Sequence, residues 1–525
     1  MKILHNAHIH TLDASRPAAS VVVIDRGWIT AVGGEELLEQ FPFAEKKDLD
    51  GRFVLPGLTD AHIHLQWYSL GLQKVDCETK TLEECLRRVS ERAIATTPGE
   101  WILGHGWQQN DWGGEFPTAA QLDSAAPRHP VYLTAKSLHA GWVNSAALKL
   151  AGITASTPDP ENGKIVRDAR GNPNGILLES AMDLLNKALP EVSLEQVTKA
   201  IQAAQPKLWE IGLTGVHDFD QRLCFMALQV LHQRGDLKLR VTKSIPVDLL
   251  QQAHDLGLRS GFGDDMLRVG SVKVFMDGAL GPRTAAMIQP YENEPDNRGI
   301  LNMDSEHLFE IGRQAADSGL SMAVHAIGDR ANHEVLDAIE QLRGYEREKN
   351  LPHFRHRIEH VQIVHPDDAA RLGKLGVIAS MQPIHATSDM LAADKLWGSR
   401  SVQAYAWRTQ LSNGAVLAFG SDAPVESPNP FLGLHAAVTR RRADGSPAPQ
   451  GWYPEQRLSA LEAWWGFTTG AAYAAGMEDR LGKLAPDFHA DLIVLDKDPF
   501  TIEPDDLLKM QSSATMVKGE WVWQA

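Results

Sequence analysis

The strings NAHIHTL and TDAHIHLQ each carry a His-x-His pair, His8 with His10 and His62 with His64. In a strand, residues i and i+2 share a face, so each pair projects two imidazoles the same way, about 7 Å apart along the strand. Such a pair chelates a metal only where further ligands converge on it. For His8 and His10 no acidic or histidine-bearing strand end is obvious nearby, and the expectation is a half-exposed strand face. His62 and His64 have company. LSMAVHAIG carries His325, RHRIEHVQ carries His360, AVLAFGSD ends at Asp422, and RVGSVKVFMDG carries Lys273 followed by Asp277. Taken singly, each has a bland account: a buried histidine with its hydrogen bonds made, a helix-capping aspartate, a lysine paired with a carboxylate. Taken together, four imidazoles and a carboxylate aimed at one end of a fold repel or go unsatisfied without a cation.

Elements that could bring these side chains together are legible as short apolar runs separated by helical patterns. The runs are RFVLPGLTDAHIH, PVYLTAK, LTGVHDF, LRVTKSI, RVGSVKVFMDG, LSMAVHAIG, RHRIEHVQ, GVIASMQP and AVLAFGSD, with helix-like stretches such as SEHLFEIGRQAADSG and ANHEVLDAIEQLRG between many of them. This alternation predicts an α/β fold, a (β/α)8 TIM-type barrel, whose chemistry sits at the C-terminal ends of its strands. Nine runs are one too many. PVYLTAK lies within a long interval, about residues 76–205, far beyond an ordinary βα connection of about 2 to 6 residues. That interval is read as an insertion over the barrel mouth. Both chain ends read as β-strands with glycine turns, KILHNAHIHTL and ASVVVIDRGWITAVG at one end, ADLIVLDKDPF and TMVKGEWVWQA at the other. The expected organisation is a small β-sandwich from residues 1–55 and 476–525, interrupted by a barrel over residues 56–475.

Bulk properties exclude several classes. A chain of 525 residues is long enough for one large domain and a smaller one, and 43% hydrophobic with 22% charged residues is a globular composition. The net charge of −16 leaves Arg440, Arg441 and Arg442 as the one strong basic cluster. That argues against nucleic acid as a partner, and the triple is expected in an exposed loop. No apolar stretch is long enough to span a membrane, and MKILHNAHIHTLD has no apolar signal-peptide region. Cys77, Cys85 and Cys224 are too few for a disulfide framework, which points to a reducing, cytoplasmic setting. Oligomeric state is open, a homo-oligomer included.

The order His-x-His, Lys, His, His, Asp resembles the amidohydrolase superfamily. The strings DAHIHL, VKVFMDGALGPRTA, VHAIGDRA, RIEHVQ and GSDAPV resemble its family 3 branch, which includes N-substituted formamide deformylases, and the likeness runs over nearly the whole chain. The resemblance implies that His62 and His64 bind the more buried of two divalent ions such as Zn²⁺. It implies that Lys273, carboxylated by CO2, bridges them, that His325 and His360 bind the second ion, and that Asp422 binds metal and handles the proton. A carbamate supplies two oxygen ligands where an ammonium would repel the metal. The implied mechanism is attack of a metal-bound hydroxide on a carbonyl, with Asp422 as general base and then acid.

The insertion strings GHGWQQNDWGGEFPT and KSLHAGWVNSAAL are rich in aromatic and hydrogen-bonding residues, as a ligand-facing loop would be. His105, Trp107, Asn110, His139 and Asn144 are the candidates for a substrate wall; packing within the insertion is the competing account of the tryptophans. On the barrel side, Arg283 either clamps a substrate carboxylate or pins its own loop, and His385, beyond the seventh strand, is assigned to the pocket. The expected substrate is a small linear amide, an N-substituted formamide or N-acyl amine. The alternatives are a cyclic amide of the hydantoin or imidazolone kind, or a metal-binding module without catalysis. Asp422 argues against the last, since a structural metal site needs no base beside an open position.

Overall fold

The computed structural model describes residues 1–136, 139–161 and 163–525, and for Asn110 and Asp111 the backbone alone. The chain divides into two compact units, Met1–Tyr68 with Ile201–Ala525, and Ser69–Ala200.

The first unit holds an eight-stranded parallel sheet. Its strands, in chain order, are β1 (Leu58–Ile63), β2 (Leu213–Asp218), β3 (Arg240–Pro246), β4 (Leu267–Phe275), β5 (Met322–Ala326), β6 (Arg357–His360), β7 (Ile378–Met381) and β8 (Leu417–Phe419). Each strand pairs with the next, and an Ile63–Ala423 bridge returns β8 to β1. The sheet is thus a TIM-type barrel. Strands such as β5 and β6 are buried almost throughout, as expected where helices cover the outside of a parallel sheet. PVYLTAK is not among the barrel strands; residues Val131–Ala135 belong to the other unit.

RFVLPGLTDAHIH is not one strand but two. Phe53–Pro56 lies in a terminal sheet and β1 begins at Leu58. The switch occurs at Gly57, where a Cβ would come within 2.3 Å of the Thr214 side chain. That terminal sheet has six strands and draws on both chain ends, pairing Phe53–Pro56 with Leu492–Leu495 on one side and with His8–His10 on the other. A four-stranded sheet, including Lys2–His5 and Val21–Asp25, shares its apolar core through Leu4, Val22, Val54, Leu492 and Met516. His8 is exposed and His10 partly so. An acidic neighbour does exist for them: Asp498 lies 3.1 Å from His10 Nε2, delivered by the far end of the chain.

The second unit is built on a six-stranded mixed sheet from Val75–Asp76 to Gly163–Arg167. Its core includes Trp107, Trp142, Leu133 and the Cys77 and Cys85 thiols.

The arginine triple departs from the exposed loop expected of it. Arg440 is buried, its guanidinium between the Trp407 and Trp452 rings at 4.4 and 4.9 Å, and it donates to the carbonyls of Trp452, Tyr405 and Ala404. A guanidinium stacks on aromatic faces and spends its donors on backbone oxygens, so it tolerates burial that an ammonium would not.

Candidate metal centre

The C-terminal ends of the barrel strands carry the side chains singled out by the sequence. His62 lies in β1 and His64 just beyond it. Lys273 lies in β4, His325 in β5, and His360 ends β6. Asp422 follows β8 and is tied back to β1, its amide donating to the His62 carbonyl at 2.7 Å. This closure is close-fitting: a Cβ on Gly420 would sit 2.4 Å from the His62 backbone nitrogen and 2.6 Å from Asp60 Oδ1. His360 and Asp422 both adopt left-handed backbone, at φ +75° and +61°. Non-glycine residues held there cluster at functional sites.

The strand period of two places Arg357 and Glu359 on one face of β6 and His360 on the other. The positive φ of His360 breaks that alternation, so its ring reaches 5.0 Å from His62 and 4.5 Å from His325, centroid to centroid.

Each imidazole has one nitrogen engaged by an acceptor. His62 Nδ1 lies 2.6 Å from Glu359 Oε2, His64 Nδ1 3.0 Å from Asp220 Oδ1, and His360 Nδ1 2.9 Å from Gln382 Oε1. His325 Nε2 lies 2.9 Å from the Gly278 carbonyl. An acceptor at one ring nitrogen holds the proton there and leaves the other nitrogen with its lone pair. The freed Nε2 atoms of His62 and His64 both lie 3.5 Å from Asp422 Oδ1, and donor atoms of the three residues all fall within 4.8 Å of one another. Burial, reinforced by Lys273, pulls His325 down to about 3 and His62 well below the usual range. Burial and the neighbouring His325 do the same to His360. These rings are therefore neutral at pH 7, as metal ligation requires. Burial lowers His64 too, but its bond to Asp220 and the Asp422 charge outweigh that and raise it. Asp422 is raised by burial against the lowering pull of His385, His64 and Lys273.

Lys273 is buried, its Nζ 4.5 Å from the Phe219 ring centroid and 4.9 Å from that of Phe275. Burial brings it down to about 8, although Glu359 and Asp422 pull the other way. His385, in the first turn of the helix Pro383–Trp397, points Nε2 at Asp422 Oδ2 from 3.7 Å. That nitrogen is buried without a hydrogen bond among the described residues.

Residues 47–523 match the sequence pattern of the "Amidohydrolase family". The chain belongs to that family. It is 33% identical to YtcJ of Bacillus subtilis (strain 168), over 99% of each chain. It is 30% identical to the N-substituted formamide deformylase of Arthrobacter pascens, over 98% of this chain and 96% of that one. A solved structure described as an uncharacterized metal-dependent hydrolase from Pyrococcus furiosus matches with TM-score 0.79 and 31% identity, covering 95% of this chain and all of that one. This amidohydrolase is a metal-dependent hydrolase with TIM-barrel architecture.

Other expected pocket residues are spent elsewhere. Trp107 is fully buried in the core of the 69–200 unit and donates Nε1–H to the Leu133 carbonyl. Asn144 caps the helix Ser145–Leu150, accepting from the Ala147 and Val131 amides and donating to the His129 carbonyl. Both side chains are buried with these hydrogen bonds made inside the unit. His105 Nδ1 lies 2.9 Å from Thr134 Oγ1, and His139 Nδ1 2.9 Å from Glu179 Oε2. The Asn110 side chain lies outside the described residues. Arg283 pairs with Glu294 of its own loop. Asp277 is also a loop clamp, accepting from the Ala286, Ile327 and Gly328 amides.

Sequence reading missed Glu359, Asp220, Gln382 and Phe219, which contact the imidazoles of His62, His64 and His360. Glu359 adjoins His360 in RIEHVQ, and that adjacency was a signal. For Asp220 and Gln382 nothing in the order of residues marks the contact. In a second group, Asp218, Asp220 and Cys224, the buried Lys243 pairs with Asp218, Nζ to Oδ2 at 2.9 Å, while Asp220 pairs with His64.

Proposed function

We propose that this amidohydrolase cleaves a linear, non-peptide amide, an N-substituted formamide or N-acyl amine, with Zn²⁺ as the native metal. One observation carries the reading: the freed His62 and His64 nitrogens converge beside a carboxylate whose raised proton affinity suits a base. The nitrogen-and-oxygen donor set suits a borderline ion such as zinc. The similarity to a formamide deformylase supports the choice of amide.

His62, His64 and Asp422 would hold one ion, and His325 and His360 a second. Lys273 would join them as a carbamate: its amine adds to CO2 and releases a proton. Depression to about 8 favours this, because only the neutral amine adds. The metal, when bound, supplies Lewis-acid polarisation of the carbonyl and acidifies water. Asp422 takes the proton from the attacking water and returns it to the departing nitrogen, since an amine leaves poorly unless protonated. His385 Nε2, without a hydrogen bond among the described residues and 3.7 Å from Asp422 Oδ2, would orient that carboxylate or a substrate oxygen. The buried, unpaired thiols support a reducing cytoplasmic setting.

Turnover of N-benzylformamide and of hydantoin, before and after chelation and Zn²⁺ return, tests this reading. The expected result is formamide turnover that vanishes on chelation and returns with zinc. Preference for hydantoin removes the linear-amide assignment, and activity indifferent to chelation removes the metal role.

A further inference from the structure

Beneath the candidate metal centre, inside the barrel, lies a buried ion pair. Glu359 is fully buried and Arg357 is 3% exposed. Glu359 Oε1 accepts from Arg357 Nε. Glu359 Oε2 accepts from His62 Nδ1 at 2.6 Å, from Ser380 Oγ at 2.6 Å and from Arg357 Nη2 at 3.1 Å. Arg357 has three further acceptors, the Ala61 carbonyl at 2.7 Å, His217 Nδ1 at 2.8 Å and Ser380 Oγ at 2.5 Å. An arginine only donates, so His217 Nδ1 must be the acceptor there.

A buried pair of this kind is a poor way to stabilise a core. Desolvating both charges consumes most of their attraction, and apolar residues of equal volume often do as well or better. Its position accounts for its presence. An ionised carboxylate can only accept, so Glu359 obliges His62 to carry its proton on Nδ1 and present Nε2 to the metal.

We infer that Arg357 and Glu359 form a positioning pair that locks His62 in its metal-binding tautomer and sets the affinity of the centre. The inference rests on the reading of His62 as a metal ligand. It extends that reading to two residues that never touch the ion. Arg357 keeps the carboxylate in place by donating to both of its oxygens, one of them the oxygen that accepts from His62.

The isosteric variant Glu359→Gln is a sharp probe because the two ends of the carboxylate face opposite donors. Its amide NH2 must meet either Arg357 Nε–H or His62 Nδ1–H, so shape is kept while one acceptor is lost. The measurement is Zn²⁺ affinity by competition with a chromophoric chelator, on wild type, Glu359→Gln and His62→Ala. It is paired with the ring ¹⁵N shifts of labelled histidine in metal-free protein, His62 being assigned by its absence in His62→Ala. We expect wild-type His62 as the Nδ1–H tautomer, and zinc binding weakened roughly 10- to 100-fold in Glu359→Gln. Wild-type His62 protonated on Nε2 overturns the inference, whether or not the variant folds. So does affinity within twofold of wild type in folded Glu359→Gln while His62→Ala loses zinc. If His62→Ala binds zinc as wild type does, the ligand reading has failed, and this inference falls with it.

Discussion

Asp422 and Lys273 carry the sharpest consequences at the residue scale. If Asp422 moves the proton, Asp422→Asn should lower kcat by about 10²- to 10⁴-fold, with a smaller change in KM. Steady-state kinetics of zinc-loaded protein, with metal content checked, would show this; a loss confined to KM would assign Asp422 to binding instead. Lys273→Ala should lose metal and turnover together and recover part of both when a short carboxylic acid replaces the missing carbamate oxygens. Full metal occupancy without the acid would exclude the bridge. These residues were legible in the sequence because each sits late in an apolar run. Asp220 and Gln382 were not, since a group that accepts from an imidazole is recognisable only once the imidazole's position is known.

Elements hold the rim through contacts that are partly local and partly distant. The helix Ala460–Phe467 begins with a capping box, Ser459 and Glu462, which sequence spacing can announce. Glu462 also forms a two-point ion pair with Arg408 of the helix Trp407–Ser412, at 2.7 and 2.5 Å, which spacing cannot. The Arg408 bond, opposed by burial and helped by Ser459, holds Glu462 down at about 2. Its folded value lies below its unfolded one, so the stabilisation is complete above about pH 4.5 and disappears as pH falls towards 2. Glu462→Gln keeps the cap and removes the charge. It should cost about 1 kcal/mol at pH 7, a surface-pair magnitude, and less at pH 3.5. Urea unfolding at the two pH values decides this; an equal cost at both would leave the ion pair without a role. The split of RFVLPGLTDAHIH at Gly57 belongs to this scale too, since an apolar run does not record which sheet each half joins.

At the scale of the whole molecule, a buried pair joins the barrel to the terminal strands. Arg240 of β3 grips both oxygens of Asp491, just before the strand Leu492–Leu495, and Asp491 Oδ1 also accepts from the Lys518 amide. Arg240→Met strands a buried carboxylate and should cost about 3–5 kcal/mol. Arg240→Met with Asp491→Leu should regain most of it, because the unpaired charge is gone. Chemical denaturation of both variants measures the difference, and a double variant no better than the single one would make the packing, rather than the charge, responsible.

By itself the sequence determined the α/β barrel alternation, the β-rich ends and the ligand types at successive strand ends. These are properties of period and local order, which a linear string preserves. Tertiary structure alone decided which nitrogen of each histidine is free, because that depends on acceptors such as Glu359 and Asp220, 297 and 156 residues away from their histidines. It also turned His360 to the site against the strand period, removed Trp107 and Asn144 to internal duties, and buried Arg440. For the imidazoles of His62 and His64 the deciding acceptor is remote along the chain, and pairing of the barrel strands brings it within reach.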